Sequence, residues 1–303
     1  MKIVAIAAAA LRAGTLASLL ALGACAAMLE DRGFAAVQET AGKRLDKEVR
    51  RIRTDEEAAA AAARTADLLG DPLTVDAAVQ VALLNNRGLQ AVYDELGLSA
   101  AAMVKAVTPP NPGFSYSRLR RGGVVEIERR YTLDVLGLLA LPFAAAIEER
   151  RWEQAKLRAA DLVLRVASDT RRAYFGAVAA EQVHAYMRQV QESADAAAEL
   201  AARLGQTGSF GRLDQARHHV FKAEVAAQLA RSRHAATVER ERLTRLMGLW
   251  GARTAFRLPE RLPELPPDPP DRRDIEATAI AERADIRMAR MEVEGLARSY
   301  GLT

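Results

Sequence analysis

The sequence predicts a mainly α-helical chain interrupted by one transmembrane β-hairpin. Three observations carry that expectation. Between residues 143 and 204 there is no proline, and apolar positions recur at heptad-like spacing among charged ones. Alanine dominates while aromatics make up only 5% of residues, which suits long helices packed along narrow seams better than a thick-cored enzyme. Residues 113–135, "GFSYSRLRRGGVVEIERRYTLDV", break this pattern with alternating apolar and polar positions around a glycine-rich turn.

At the N-terminus, residues 1–24 have a weakly basic start, an apolar run over 13–23 and small residues before Cys25, as a secretory signal would. The motif "LGAC", ending at Cys25, resembles the bacterial lipobox, in which that cysteine is lipidated and becomes the first residue of the mature chain. Two other readings stay open. Ala24, Cys25 and Ala26 also fit an ordinary cleavage site, and the apolar run, which Arg12 cuts off from the apolar residues before it, also fits a helix of the fold. Cys25 is the single cysteine, so no internal disulfide is possible.

Residues 25–71 read as a tether and periplasmic segment with some helix. "DPLT" then marks a boundary, with Pro72 disfavouring helix before it and Thr74 placed to cap the next. A helix over 75–107, about 50 Å long at ~1.5 Å per residue, is stopped by "TPPNPG".

In the hairpin, Val125, Ile127, Arg129, Tyr131, Leu133 and Val135 alternate with Glu126, Glu128, Arg130, Thr132 and Asp134. One face is apolar apart from Arg129, and the other is polar. On the incoming arm Phe114 and Tyr116 alternate with Ser115 and Ser117, and the turn "RRGG" is polar. A tilted transmembrane strand has this length. A soluble sheet with one wet face has the same alternation, but no further strand is visible here, and an isolated hairpin is marginal in water. A barrel assembled from several chains would supply the missing partners.

Next come a helix over 143–204, about 90 Å, and a second over 212–250, about 58 Å. The short "LGQTGSFG" between them makes an antiparallel helical hairpin over 143–250. The helices over 75–107 and 212–250 together slightly exceed the long one, so they could stack end to end beside it. "RLPERLPELPPDPPDRR", 257–273, is a Pro-rich linker. Beyond it, 274–303 echo the first helix. A shift of 197 sets Ala82 with Ala279, Leu89 with Ile286, Glu95 with Glu292 and Ala100 with Ala297, which reads as the start of a second repeat.

This order of elements, together with "PLTVDAAVQVALLNNRGLQAVYDELGLSAA" and "PNPGFSYS", resembles the TolC-like outer membrane efflux proteins over residues 72–303. The resemblance implies a long helical hairpin belonging to an α-barrel and a share of an oligomeric outer-membrane β-barrel, with 72–256 as the first of two repeats. It implies a homo-oligomer, a trimer in the family, in the outer membrane of a Gram-negative bacterium. The partners it implies are outer-membrane lipid, a periplasmic adaptor and an inner-membrane pump. Glu126, Glu128, Arg130, Thr132 and Asp134 would face the lumen, and Phe114, Tyr116, Ile127, Tyr131 and Leu133 would face lipid. At the helical tip, Gly208, Leu213 and Asp214 match the family's adaptor-contact pattern. Gly211 stands where Ser or Thr is usual, and Arg203 takes the part of the preceding basic residue. By the same shift Thr303 corresponds to Ala106, just before the first hairpin, so the sequence reads as a truncated or incomplete copy.

Motifs of catalysis are missing. The glycines at 205, 208 and 211 lack the Gly-Lys-Ser/Thr ending of a phosphate loop. There is no HExxH, no G-x-S-x-G and no cysteine pair. His218 and His219 are adjacent and diverge by about 100° on a helix. No enzyme, cofactor or metal is expected. The net charge of +4 includes Lys2 and Arg12, so nucleic-acid binding gains little support. The leading expectation is a passive efflux conduit. The alternative is a lipid-anchored periplasmic coiled-coil scaffold or adaptor that conducts nothing.

Overall fold

The computed structural model describes residue 31 and residues 33–70, 72–265 and 274–299. The expected signal segment, Cys25, Asp71, residues 266–273 of the linker and Thr303 lie outside the described residues. Within the described residues, short helical turns over 34–45 are followed by α1 (Asp55–Leu68), α2 (Val75–Asn85), α3 (Arg87–Val107), β1 (Gly113–Arg121), β2 (Val124–Thr132), α4 (Val135–Gln206), α5 (Arg212–Leu246), α6 (Ile275–Glu282) and α7 (Ala284–Ser299). The described residues are mainly helical with one antiparallel strand pair, as the sequence predicts. Among the described residues the contacts divide into two compact units, one drawn from residues 45–90 and 162–265, the other from residues 31–44, 91–161 and 274–299.

In the first unit the stretch expected to be a tether is held in place. Residues 47–53 form neither helix nor strand, and two glutamine side chains bond to their backbone. Gln80 Oε1 accepts from the Glu48 amide at 3.0 Å, and its Nε2 donates to the Glu48 carbonyl at 2.8 Å. Gln90 does the same for Ile52 and Arg50, at 3.0 Å each. Helix α1 follows through a capping box, with Thr54 accepting from the Glu57 amide and Glu57 accepting from that of Thr54. Thr74 caps α2 by accepting from the Ala77 amide at 3.2 Å.

The expected single helix over 75–107 is two helices. Asn86 ends α2 with extended backbone (φ −67°, ψ 113°). Its Oδ1 accepts from the Leu89 amide at 3.2 Å, capping α3, and its Nδ2 donates to the Leu246 carbonyl at 3.1 Å. An asparagine that can satisfy two backbone groups at once favours the break over continuation. Every residue of α2 from Ala78 to Leu84 is buried, as in a helix surrounded by protein. Tyr174 closes one side by donating to the Leu73 carbonyl at 2.8 Å.

Helices α4 and α5 run antiparallel. Arg240 meets Glu181 at 2.8 Å, Ser232 meets His184 at 3.2 Å and Lys222 meets Asp195 at 2.9 Å, so partners fall on one helix as they rise on the other. On α5 four of the five buried positions, Val225, Ser232, Ala236 and Leu243, are spaced seven, four and seven apart, the seam of a coiled coil, and Thr244 adjoins the last. Small residues face it from α4, among them Ala194, Ala198 and Ala201. Helix α5 ends at Leu246, four residues before the expected Trp250, where Gly248 at φ 65° closes it in a Schellman turn.

In the second unit Phe34 stacks edge-on against Tyr93, ring centroids 5.1 Å apart, and Gly33 lies against Trp152. The strands and α4 meet sooner than expected. Strand β2 stops at Thr132 and α4 starts at Val135, eight residues before the expected 143, with Pro142 inside it. Asp134 sets this boundary: its carboxylate accepts from the Gly137 amide at 2.8 Å and its carbonyl from the Leu138 amide at 3.2 Å. The helix runs on through Pro142, its eighth residue, although proline cannot donate the backbone bond expected there. Leu133, Asp134 and Val135 are therefore not strand residues, and Asp134 is a helix cap. Helix α4 is 72 residues long, about 108 Å at ~1.5 Å per residue.

Beyond the linker the echo of α2 and α3 carries into the backbone. Arg283 ends α6 with φ −63° and ψ 123°, and α7 begins at Ala284.

Candidate functional site

The hairpin, the α4–α5 tip and a groove on the helical pair are the places where function could reside. The hairpin turns on Gly122 and Gly123, both at positive φ (56° and 89°), as the two-residue turn favoured by twisted strands demands. Its register pairs Phe114 with Tyr131, Tyr116 with Arg129, Arg118 with Ile127 and Arg120 with Val125. Opposed residues share a face, so these eight form one side, and Phe114 and Tyr131 touch with ring centroids 5.0 Å apart. The other side holds Ser115, Ser117, Leu119 and Arg121 opposite Arg130, Glu128, Glu126 and Val124, with Thr132 at its base.

Phe114, Tyr116, Ile127 and Tyr131 of the expected lipid-facing set thus do share a face, as do Glu126, Glu128, Arg130 and Thr132 of the expected lumen-facing set. Leu133 and Asp134 lie past the strand. The aromatic face is less apolar than β2 alone suggests. Arg118 and Arg120 join Arg129 on it, because β1 alternates in the opposite sense beyond Tyr116.

At the tip, α4 ends in a Schellman turn: the Ser209 amide donates to the Leu204 carbonyl at 3.0 Å and the Gly208 amide to that of Gly205 at 3.2 Å. Gly208 supplies the left-handed residue, φ 76°. Gly211 is the N-cap of α5 without a side-chain bond, and the Asp214 and Gln215 amides both donate to its carbonyl at 3.1 Å. Asp214 sits in the first turn, where a carboxylate complements the helix dipole, and pairs with Arg217 at 3.1 Å. Arg203 pairs with Glu199 one turn back. Leu213 is 65% exposed and begins a stripe continued by Val220 and Phe221. The tip is thus a rigid turn carrying exposed apolar and charged side chains.

The groove, about 820 Å³, is lined on the helical pair by Glu181, His184, Arg188, Arg233 and Arg240 and closed by Leu258, Pro259 and Arg261. Arg240 fastens that closing segment. It pairs with Glu181, donates to the Phe256 carbonyl, and lies 4.4 Å from the Phe256 ring centroid. The Leu73 amide bonds to the Arg257 carbonyl at 2.8 Å and the Leu262 amide to Gln182 Oε1 at 3.1 Å. Sequence reasoning missed this anchoring, since prolines alone indicate only an extended linker.

A Ser–His pair beside the groove is not set up for nucleophilic catalysis. Ser232 Oγ donates to the Leu229 carbonyl at 2.8 Å, so the arrangement satisfying both groups has His184 Nδ1 donating to Ser232 Oγ. A histidine that donates to the hydroxyl cannot take its proton. Among the described residues, no group of three His, Cys, Asp or Glu side chains is placed to hold a metal ion, and no helix is long and apolar enough to cross a membrane.

The backbone resembles three solved channels or membrane proteins. The chain superposes on the CmeC outer membrane channel of Campylobacter jejuni with a TM-score of 0.59 and 17% identity, covering 73% of this chain and 51% of that one. A membrane protein from Pseudomonas aeruginosa gives 0.57 and 18%, covering 73% and 55%. CusC, described in terms of transmembrane channel formation, gives 0.56 and 16%, covering 77% and 58%. The fold is TolC-like. No protein-family model and no curated protein sequence matches the chain. The chain spans about half the length of these structures. At such identity the TolC-like fold establishes architecture alone, and CmeC and CusC are the two described as channels.

Proposed function

We propose that this protein is an outer-membrane channel subunit of a tripartite efflux system, a passive conduit for small molecules or ions expelled by an inner-membrane pump and its periplasmic adaptor. One observation carries the reading. A strand hairpin is followed directly by a long antiparallel helical pair, in a backbone that superposes on outer-membrane channels. On this reading each chain of a homo-oligomer lends its hairpin to a shared β-barrel, which satisfies the two open edges an isolated hairpin leaves. Glu126, Glu128, Arg130 and Thr132 line the lumen, while Phe114, Tyr116, Ile127 and Tyr131 face lipid. Cys25 is the lipid attachment site. Arg203, Gly208, Gly211, Leu213 and Asp214 form the tip that meets the adaptor. Residues 274–303 begin a second repeat, a reading supported by the matched backbone at Asn86 and Arg283.

The alternative, a lipid-anchored scaffold without conductance, draws on one observation: three arginines stand on the hairpin face read as lipid-facing. Outer-membrane fractionation followed by conductance in planar bilayers separates the two. Stepwise conductance from the outer-membrane fraction is expected, whereas a soluble species that passes no current would overturn the channel reading. Lipid labelling of wild type and Cys25→Ala tests the anchor, with label expected in the wild type alone.

A further inference from the structure

The coiled-coil repeat of α4 and α5 leaves one level of the groove without a counter-charge. Glu181 and Arg240 face each other across the helical pair and bond at 2.8 Å. Because the helices run antiparallel, seven residues forward on α4 and seven back on α5 return to the same face, and those positions hold Arg188 and Arg233. Both line the groove, as does Arg261 of the closing segment. Where one heptad sets an ion pair, the next sets two guanidinium groups.

Among the described residues, the side chains of Arg188, Arg233 and Arg261 make no hydrogen bond or ion pair. The acids on the groove are Glu181, taken by Arg240, and Glu260 on the closing segment. Four arginines against two carboxylates leave it positive. Like charges gathered on one wall repel, so the arrangement favours an anion between them. Arg261 is kept near the helices by its neighbour, since the Leu262 amide donates to Gln182 Oε1 at 3.1 Å.

The three guanidinium groups come from three separate stretches of chain and approach a shared ligand from different sides. A planar carboxylate offers one edge to one arginine fork, whereas a phosphate group offers three oxygens around its centre. The volume, about 820 Å³, exceeds what a phosphate fills and lies in the range of small-molecule sites. Tyr186 and Pro259 on the lining give apolar surface to an organic body.

We infer that this groove binds a soluble small molecule carrying a phosphate or diphosphate group, held by Arg188 and Arg233 on the helical pair and by Arg261 on the segment across it. The bound group then ties that segment to the helices, a second fastening beside Arg240. The site lies within one unit of the fold and is independent of the channel reading.

The test titrates the full chain in detergent with inorganic pyrophosphate, followed by calorimetry at low ionic strength. Saturable binding is expected. Arg188→Gln combined with Arg233→Gln should weaken it about 100-fold, through the loss of two charge-assisted contacts. Removing two charges elsewhere on α5, Arg231→Gln with Arg242→Gln, should change it by less than about threefold, since exposed charges off the groove are screened. Far-ultraviolet circular dichroism of both variants should match wild type. Arg188→Lys with Arg233→Lys keeps the charge without the planar forks and should fall between. Citrate should bind about tenfold more weakly than pyrophosphate. Pyrophosphate should also slow trypsin cleavage after Arg261, relative to the other cleavage sites, in wild type and not in the Gln variant. No binding by wild type, undiminished binding by the Gln variant, or an equal loss in the Arg231 and Arg242 control would overturn the site. Citrate binding as tight as that of pyrophosphate would overturn the phosphate assignment, and unslowed cleavage would overturn the part given to Arg261. A chain that passes no current leaves all of these readouts intact and removes the channel alone.

Discussion

Asn86 and Arg283, 197 positions apart, hold the same backbone conformation, φ −67° and ψ 113° in one and φ −63° and ψ 123° in the other. Each ends one helix and begins the next, and the bonds around them match: the Asn86 amide donates to Ala82 and that of Arg283 to Ala279, both at 2.9 Å. What differs is the side chain. Asn86 caps α3 and reaches Leu246, whereas Arg283 turns to Asp285 at the surface. Asn86→Ala should therefore lower stability by about 2 kcal/mol, from one cap and one further part-buried bond. Arg283→Ala should leave the thermal midpoint unchanged. Calorimetry of the two variants side by side checks both.

Gly208 and Gly248 play the same part at the ends of α4 and α5, yet their surroundings differ. A Cβ at Gly248 would overlap the Asn85 carbonyl, and one at Gly208 would meet open space. Gly208→Ala is expected to cost about 1 to 2 kcal/mol from left-handed strain alone. Gly248→Ala should cost more, because strain and collision with backbone combine. Urea unfolding of the two variants gives the order.

Tyr93 is fully buried against Phe34, and its hydroxyl has no partner. Burial raises the phenol above its ordinary range. The folded state therefore resists ionisation that the unfolded chain undergoes near pH 10, so stability is intact below that pH and is lost as pH climbs toward the folded value. Tyr93→Phe should be as stable as wild type or more so at neutral pH, since an unpaired buried hydroxyl is removed. It should also flatten the alkaline fall in the unfolding midpoint. A variant less stable at neutral pH would mean that the hydroxyl makes a bond.

Arg240 holds the segment at Phe256 through its ion pair with Glu181, its bond to the Phe256 carbonyl and its stacking on the ring. Arg240→Ala should free that segment, seen as faster trypsin cleavage after Arg257 and Arg261, with a loss of roughly 2 to 3 kcal/mol from a charged hydrogen bond and the stacking. Arg240→Lys should show an intermediate rate, because an ammonium cannot span both acceptors with the same planar geometry.

At the tip proposed to meet an adaptor, Leu213 is the exposed apolar side chain. Leu213→Asp removes an exposed apolar group without touching the turn that Gly208 and Gly211 make. Adaptor cross-linking should fall at least tenfold while the circular dichroism spectrum stays that of wild type. Unchanged cross-linking would place the contact elsewhere.

Much of the architecture is legible along the chain, because its causes are local. The heptad-like spacing within α4 and α5, the glycine pair at the hairpin turn, Thr74 before α2 and the glycines between α4 and α5 each act within a turn or two of where they stand. "LNNRG" also carried a signal for the break at Asn86, since asparagine favours an N-cap, but a continuous apolar pattern masks it. The alternation running on to Val135 likewise hides the cap that Asp134 makes.

What the sequence by itself determined is the order and kind of elements: helix, hairpin, helical pair, linker and helix, with their turns. Tertiary structure decided the rest. It pins residues 47–53 with Gln80 and Gln90, anchors the Pro-rich segment on Arg240, and brings Arg118 and Arg120 onto the face of Phe114 and Tyr131. Those outcomes depend on side chains 16 to 40 positions from the backbone they hold, or on which residue a strand sets opposite which. A bond between distant groups, or a face fixed by pairing register, leaves no mark in the spacing of either partner's neighbours.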